Sequence, residues 1–181
     1  IKTVHCPSDE ETFLYISNGF YKLPVLDHCQ GLADVIATTF YPQFDETYPG
    51  SKFIMTIRDK ASWLPSIANR MGGLPERPDR NDKIPEFKKF LRASFYGSHR
   101  YNERRFSYVY DMFHKNVREY FKDRPQDLLV FDMFAGQEWE TLCPFLGVPI
   151  PNTPFPSVGG LQANRPHTTN SSLEHEKRAL R

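Results

Sequence analysis

The apolar positions of this chain fall into short continuous runs and into longer stretches with helical spacing. The clearest continuous run is Phe53 to Ile57, which follows Pro49-Gly50 and contains no charged residue. Short uninterrupted apolar runs bounded by turn residues are typical of parallel strands that are covered on both faces. Leu128 to Phe131 is a second run of this kind. The pattern therefore predicts a buried parallel sheet.

The remaining segments alternate between strand and helix patterns. We expect strands at Ile1 to Val4 and near Leu32 to Asp34, and a helix or loop at Glu10 to Tyr15. Helices are expected at Thr38 to Glu46, Lys60 to Arg70, Glu86 to Tyr96, Glu103 to Phe121 and Glu138 to Leu146. Gly72 to Pro85 is predicted to be a loop, and residues 149–181 an extended segment with a terminal helix over Ser172 to Arg181. This order predicts one α/β domain over residues 1–181, with a parallel sheet and helices on both faces.

Composition narrows the function classes. With 181 residues, 39% of them hydrophobic, the chain can bury a substantial core, and a net charge of +1 disfavours general nucleic-acid binding. The three cysteines and six histidines have no disulfide or metal-site spacing, which favours a reducing cytosol and predicts no metal site. No stretch approaches the ~18 apolar residues of a membrane span.

The segment after Phe53 to Ile57 carries the clearest chemistry. Arg58 stands at the carboxyl end of the predicted strand, which is the edge where open parallel sheets bind ligands. Asp59 is a suitable N-cap for the following helix, and Ser62 and Ser66 share one face of that helix. The Arg58 guanidinium and the Ser66 hydroxyl are thus predicted to converge on one anion, with each charge-assisted bond contributing roughly 1.5–3 kcal/mol.

This arrangement resembles the 3′-phosphate site of sulfotransferases that use 3′-phosphoadenosine-5′-phosphosulfate (PAPS). The resemblance is carried by a strand ending in Arg58-Asp59, by Trp63 and Ser66 five and eight residues after the arginine, and by motifs in matching order over about residues 1 to 158. Those further motifs are Gly31 to Asp34, Phe40-Tyr41, Tyr48-Pro49-x-x-Lys52, Tyr96-Gly97, Val117 to Phe121, Leu128 to Phe131 and Trp139 to Pro149. The branch that they resemble is found in bacteria and invertebrates.

The resemblance implies a P-loop NTPase-like sulfotransferase fold that here lacks its first strand and phosphate loop. The family begins with a strand and a Gly-Thr-rich loop that holds the 5′-phosphosulfate, whereas Ile1 to Pro7 resembles the family's second strand. We therefore expect further residues before Ile1 and an N-terminally incomplete domain. The alternative is a real truncation, which would leave half a cofactor site and no activity. The N-terminal anchor of many Golgi sulfotransferases is the alternative to a cytoplasmic location.

The resemblance also implies a catalytic base at Asp34, in the position where cytosolic sulfotransferases have a histidine and this branch an aspartate. A positioned base that accepts the acceptor's proton typically contributes 10²–10⁴-fold. The structural alternative for Asp34 is a helix N-cap or turn residue. His5, at the end of the first strand, is the alternative base, and the alternative interpretation of His5 is a structural histidine.

Gly136 and Trp139 are the residues that the resemblance places beside the adenine. The family usually shows Gly-Asp-Gly-Trp there, whereas this chain has Ala135-Gly136-Gln137-Glu138-Trp139, so the acidic residue is displaced. The alternative for Trp139 is a core position in an amphipathic helix. Pro65, just before Ser66, predicts a kink that would move that serine. The acceptor pocket is predicted from the aromatic residues Phe13, Tyr15, Phe20, Tyr21, Phe95, Tyr96, Tyr101 and Phe106.

The leading functional prediction is a PAPS-dependent sulfotransferase, with a nucleotide co-substrate, a small hydroxyl or amine acceptor, and no metal. A nucleotide or small-molecule kinase with a P-loop is the first alternative, and it predicts an upstream Gly-x-x-x-x-Gly-Lys-Ser/Thr loop and Mg²⁺ dependence. A non-catalytic interaction module on the same fold is the second alternative, and it predicts no nucleotide affinity.

Overall fold

A computed structural model describes residues 1–7, 9–71 and 85–156. Its strands are β1 (Thr3–His5), β2 (Gly31–Ala33), β3 (Phe53–Thr56) and β4 (Leu128–Phe131). Its α-helices are α1 (Glu10–Ser17), α2 (Val35–Thr39), α3 (Tyr41–Thr47), α4 (Lys60–Arg70), α5 (Glu86–Tyr96), α6 (Glu103–Tyr120) and α7 (Trp139–Leu146), and 3-10 turns cover Pro24–Asp27 and Pro125–Asp127. The loop predicted after Gly72 lies outside the described residues up to residue 84, and so does the predicted terminal helix.

The strands form two short pairs. β1 and β2 are parallel, with Thr3 opposite Gly31 and His5 opposite Ala33. β3 and β4 are neighbours in a second two-stranded sheet. The predicted α/β class is therefore confirmed, and the bounds of α4, α5 and β4 agree with the sequence patterns.

Four helices begin at a polar residue whose side chain accepts a backbone N–H. Asp9 caps α1, Asp34 caps α2, Asp59 caps α4 and Asn102 caps α6. Short side chains with an acceptor oxygen are favoured there because the first N–H groups of a helix have no partner within it. The caps of α2 and α4 lie one residue after the end of β2 and three residues after the end of β3, and they fix where these two helices start.

The helix predicted over Thr38 to Glu46 was wrong as a single element. The chain forms α2 and α3 instead, with Phe40 ending the first and capping the second. Pro42 explains the break, because it has no N–H to donate to the carbonyl of Thr38 and its ring crowds that carbonyl.

The described residues pack as two units. The first comprises residues 1–54 and 58–129. In its core, Leu23, Ile36 and Leu91 are completely buried, and α2 packs on α5. Phe106 of α6 contacts both α4 and α5, because its ring lies 6.5 Å from that of Trp63 and stacks on Tyr96 at 3.9 Å between ring centroids. This unit holds the two side-chain groups described below.

The second unit comprises residues 55–57 and 130–181 and is described as far as residue 156. The Ile57 N–H donates to the Phe131 carbonyl at 2.9 Å, and the buried Phe131 ring packs against Phe155. Cys143 of α7 is buried in the same unit. The sequence-based description of residues 1–181 as one domain remains a prediction.

Across residues 1–7, 9–71 and 85–156, no helix combines the length and the apolar character needed to cross a bilayer.

Candidate functional site

The parallel pairing of β1 and β2 brings the two predicted bases together. His5 ends β1 opposite Ala33, and Asp34 is the next residue after β2. The His5 Nε2 lies 3.4 Å from the Asp34 Oδ2, with 71% of the histidine side chain and 31% of the aspartate side chain exposed. The pair therefore lies at the carboxyl edge of the sheet, open to a small molecule from solvent.

The backbone at this edge is strained in two places. Cys6 has φ of 43° and Asp34 has φ of 81° with ψ of −168°, and they are the non-glycine residues with positive φ in the described part of the chain. Each follows directly after one of the paired strands. Such conformations cost about 1–3 kcal/mol each and concentrate at sites where geometry serves function.

Asp34 uses its two carboxylate oxygens differently. Oδ1 accepts the Val35 N–H at 2.6 Å and so caps α2, whereas Oδ2 is the oxygen near His5. The N-cap alternative is therefore correct as a description of one oxygen. Capping by Oδ1 leaves Oδ2 directed toward His5, so the capping role of Asp34 and its predicted role as base are compatible.

Charged groups from α4 and α5 surround this edge. Burial and the Asp34 carboxylate raise the pKa of the Cys6 thiol, while Lys88 and Arg70 act in the opposite direction. Burial, and secondly the charge of Asp34, raise the pKa of Tyr96 to about 12, so its hydroxyl stays protonated near neutral pH. Asp34 thus shares its surroundings with cations from two helices.

A second group forms at the start of α4, where the predicted anion-binding residues lie together. The Arg58 Nε donates to the Ser62 Oγ at 3.0 Å, and its Nη1 donates to the Ser66 Oγ at 3.2 Å. α4 runs through Pro65 without interruption from Lys60 to Arg70, and the kink expected there does not separate Ser66 from Arg58. Ser62 was not predicted as a site residue, although its i, i+4 relation to Ser66 was the available signal.

The backbone of Arg58 is held from α6. The Tyr110 hydroxyl donates to the Arg58 carbonyl at 2.5 Å, and the Tyr110 ring packs against Trp63 with 5.2 Å between ring centroids. Sequence reasoning missed Tyr110, because it lies 52 residues from Arg58 and no local pattern connects them.

The chemistry of this group suits a phosphate. Arg58 is half-buried, whereas Ser62 and Ser66 are exposed. A guanidinium offers a planar set of N–H donors that matches phosphate oxygens, and two hydroxyls add rotatable donors on the same helix face. The residues present therefore fit the nucleotide phosphate that the sequence pattern implied.

Gly136 and Trp139 belong to the second unit. Gly136 lies in the turn after β4 with φ of 84°, a backbone conformation that favours glycine. The Trp139 indole N–H donates to the Thr153 carbonyl at 2.9 Å, and its ring meets Phe155 edge to face. The packing of Trp139 within its own unit is thus established, and its contact with adenine stays a prediction.

The predicted aromatic acceptor pocket differs from a cavity found in the first unit. That cavity has a volume of about 310 Å³, and of the eight predicted aromatic residues only Phe95 lines it. Tyr101 and Phe106 are buried in the core, and Phe13 packs between Phe87 and Phe90. Aromatic residues in folded chains serve the core more often than a ligand, which explains the difference.

Within the described ranges, no group of three or more His, Cys, Asp or Glu residues is arranged to hold a metal ion.

Comparison with known proteins identifies relatives of this chain. A family model described as a sulfotransferase domain matches residues 20–162, a range that includes Asp34, Arg58, Ser66 and Trp139 and omits His5. The "Ava biosynthesis cluster protein M" of Aspergillus versicolor is 25% identical over 145 residues, which cover 74% of this chain and 55% of that protein. The chain thus spans about half the length of the curated relative that it matches.

Proposed function

Because the chain belongs to the sulfotransferase domain family, we propose that it transfers a sulfuryl group from PAPS to a hydroxyl or amine of a small acceptor. The observation that carries this proposal is the convergence of the Arg58 guanidinium with the hydroxyls of Ser62 and Ser66 at the start of α4. PAPS carries a phosphate on its ribose that is absent from ATP. A dedicated anion-binding group of this kind is what its recognition requires.

In this proposal Arg58 and Ser66 bind the 3′-phosphate, and Ser62 helps to orient the guanidinium. Hydrogen bonds to charged groups contribute about 1.5–3 kcal/mol each. The exposed serines exchange their contact with Arg58 for a shared contact with the phosphate, so little rearrangement of α4 is needed. Preorganised donors of this kind bind with a smaller entropic cost.

The chemical step needs a proton acceptor next to the acceptor hydroxyl. The acceptor oxygen forms a bond to sulfur while the bond between sulfur and the phosphate oxygen breaks, and adenosine 3′,5′-bisphosphate leaves with that electron pair. We assign the acceptor's proton to the Asp34 Oδ2, with His5, 3.4 Å away, as the group that stabilises or relays it. Gly136 and Trp139 remain predicted adenine neighbours.

The test is a calorimetric titration of adenosine 3′,5′-bisphosphate into the full-length protein and its variants. Arg58→Ala should weaken binding by about 10- to 150-fold, because the loss of roughly 1.5–3 kcal/mol corresponds to that range. Ser66→Ala should weaken it by less, since a neutral hydroxyl is a weaker partner than a guanidinium. Arg104→Ala, which removes an exposed arginine of α6, is the matched control and should leave binding unchanged.

Titration with ATP and Mg²⁺ separates the alternatives. Tighter binding of ATP-Mg²⁺ than of the bisphosphate would refute the sulfotransferase proposal in favour of a kinase. Binding of neither nucleotide by the full-length protein would favour a non-catalytic module.

A further inference from the structure

One cavity of the first unit has no role in the nucleotide contacts proposed above. It has a volume of about 310 Å³ and is lined by residues of α2, α3, α5 and α6. Its volume lies at the lower end of the ~300–1,000 Å³ that is common for ligand sites, and the cavity is open to solvent. Its apolar wall includes the rings of Phe95 and Phe113 and the side chain of Val109.

The polar part of the cavity lining includes one arginine whose guanidinium is held in a fixed orientation. Arg105 lines the cavity, and among the described residues no carboxylate forms an ion pair with it. Its Nε donates to the Tyr96 carbonyl at 2.6 Å, which fixes the plane of the guanidinium at the end of α5. Its terminal nitrogens therefore carry a positive charge at the cavity that no carboxylate of the described ranges neutralises through an ion pair.

Gly97 makes room for this arrangement. A Cβ at Gly97 would lie 2.9 Å from the Arg105 Nη2 and 3.0 Å from its Nε. The glycine also has φ of 72°, the left-handed conformation with which it caps α5. The position of the guanidinium thus depends on a glycine that ends a helix on the cavity wall.

The cavity lies close to the proposed base along α2. Asp34 caps this helix, and Thr38 and Thr39, one turn later, line the cavity. Four or five residues of α-helix correspond to about 6–8 Å along the axis. Thr38 and Thr39 thus place one wall of the cavity about one helical turn from Asp34, and this is the side to which the proposal below assigns the acceptor's hydroxyl.

The aromatic lining indicates what shape of molecule fits. Tyr108 is 55% exposed although it is a large aromatic residue, and the Arg105 guanidinium lies 5.5 Å from its ring centroid. Ser94 and Asn116 add hydrogen-bonding groups to the same lining. Aromatic faces next to a cation and a few polar groups are typical of sites for planar, partly apolar ligands.

We propose that this cavity binds the acceptor and that the acceptor is a small aromatic hydroxy acid, with its acidic group on Arg105 and its hydroxyl toward Asp34. This inference rests on the proposed function. It adds the acceptor's chemical class and a specificity-determining residue, Arg105, that touches the acceptor rather than the nucleotide.

The test compares two probes that differ in charge. Binding of 4-hydroxyphenylacetate and of its neutral analogue 4-hydroxyphenylethanol to the full-length protein is measured by ligand-observed NMR titration. The carboxylate should bind about tenfold more tightly, since a charge-assisted pair with Arg105 contributes on that scale. Arg105→Gln should remove the difference, Arg105→Lys should keep part of it, and Arg104→Gln is the matched control on the same helix.

A purely structural role for Arg105 as a cap of α5 gives a different result. In that case Arg105→Gln lowers the melting temperature and changes the affinity of both probes by the same factor, which overturns the proposal. Failure of the wild-type protein to bind 4-hydroxyphenylacetate at about 10 mM also overturns it, because such weakness means less than ~3 kcal/mol of binding free energy. Ser94→Phe, which fills the cavity from α5, should abolish binding of both probes, and unchanged binding there refutes the location.

Titration of adenosine 3′,5′-bisphosphate into the same variants keeps the two proposals separate. Arg105→Gln should leave nucleotide affinity within about twofold, because Arg105 makes no contact with the Arg58 group. A protein that binds the carboxylate probe through Arg105 and does not bind the bisphosphate retains the acid-binding cavity and refutes the sulfotransferase proposal.

Discussion

Substitutions at Asp34 can separate three features of this residue: its strained backbone, its capping of α2 and its proposed role as the catalytic base. With φ of 81° and ψ of −168°, the residue occupies a region that essentially only glycine visits without strain. Asp34→Gly should therefore relieve about 1–3 kcal/mol of strain, whereas Asp34→Ala keeps that strain and loses the cap.

The size of the effect follows from the contacts of Asp34. Both variants lose the exposed ion pair with His5, so that loss cancels in their comparison. Alanine is a poorer N-cap than glycine, which increases the stability advantage of the glycine variant. The greater chain entropy of glycine in the unfolded state reduces that advantage by roughly 0.5–1 kcal/mol. Asp34→Gly should thus be more stable than Asp34→Ala by about 2 kcal/mol, or about 4–8 °C in melting temperature for a chain of this size.

The assay is urea unfolding followed by circular dichroism, combined with sulfuryl-transfer turnover. Asp111 of α6 is the matched control, because it lies inside a helix, where Asp111→Ala should be more stable than Asp111→Gly by about 1 kcal/mol. At position 34 the order should be reversed. Turnover should fall about 10²–10⁴-fold in Asp34→Gly, Asp34→Ala and Asp34→Asn alike, with bisphosphate binding unchanged.

Two outcomes would refute the reasoning. An alanine variant at position 34 that equals or exceeds the glycine variant in stability means that the backbone there is not strained. Turnover that survives in Asp34→Asn means that the carboxylate is not the base, and His5→Gln would then be the next variant to measure.

Two further predictions concern contacts that support the site. Tyr110→Phe removes the hydroxyl that donates to the Arg58 carbonyl. It should lower the free energy of unfolding by about 1 kcal/mol in thermal melts and weaken bisphosphate binding about two- to fivefold in calorimetry. Equal affinity would show that the hydroxyl does not position Arg58. Side-chain hydrogen bonds from Arg124, and a further one from Tyr120, hold the pKa of the Asp45 carboxyl below its ordinary value of 3.8. That stabilisation is therefore fully present above about pH 4 and is lost as pH falls through the lowered pKa, so Asp45→Asn should flatten the fall in urea midpoint below about pH 4, and parallel curves would contradict this assignment.

Sequence reasoning located the elements whose ends have local signals. α4 starts at its Asp59 cap and α5 ends at Gly97, and both helices have the predicted bounds. The break at Phe40 was missed, because a run of apolar and polar residues with helical spacing outweighed the single signal of Pro42. Local signals thus determine element ends well only where they agree with the hydrophobic pattern.

Some residues of the candidate site could likewise be predicted from local sequence signals, and others could not. Arg58 and Ser66 could be predicted to meet because they lie eight residues apart on one strand-to-helix connection. Tyr110 could not be predicted, because α6 brings it to Arg58 from 52 residues away and its helical spacing fits an ordinary amphipathic helix. Side chains that reach a site through tertiary packing leave no mark in a single sequence.

α4 carries the phosphate-binding serines near its start and, at its end, a cation that acts on residues beside Asp34. Its first turns hold Ser62 and Ser66 against Arg58, and its last residue is Arg70, whose charge acts on Cys6 and Tyr96 beside Asp34. Eleven residues of continuous helix span on the order of 15 Å, and Pro65 does not interrupt them. A reaction that depends on holding two groups at a fixed separation gains most from a rigid element between them. In the proposed reaction α4 thus holds the phosphate-binding residues at its start and a cation that acts on the surroundings of Asp34 at its end, so a change inside α4 should alter turnover even where it touches neither group.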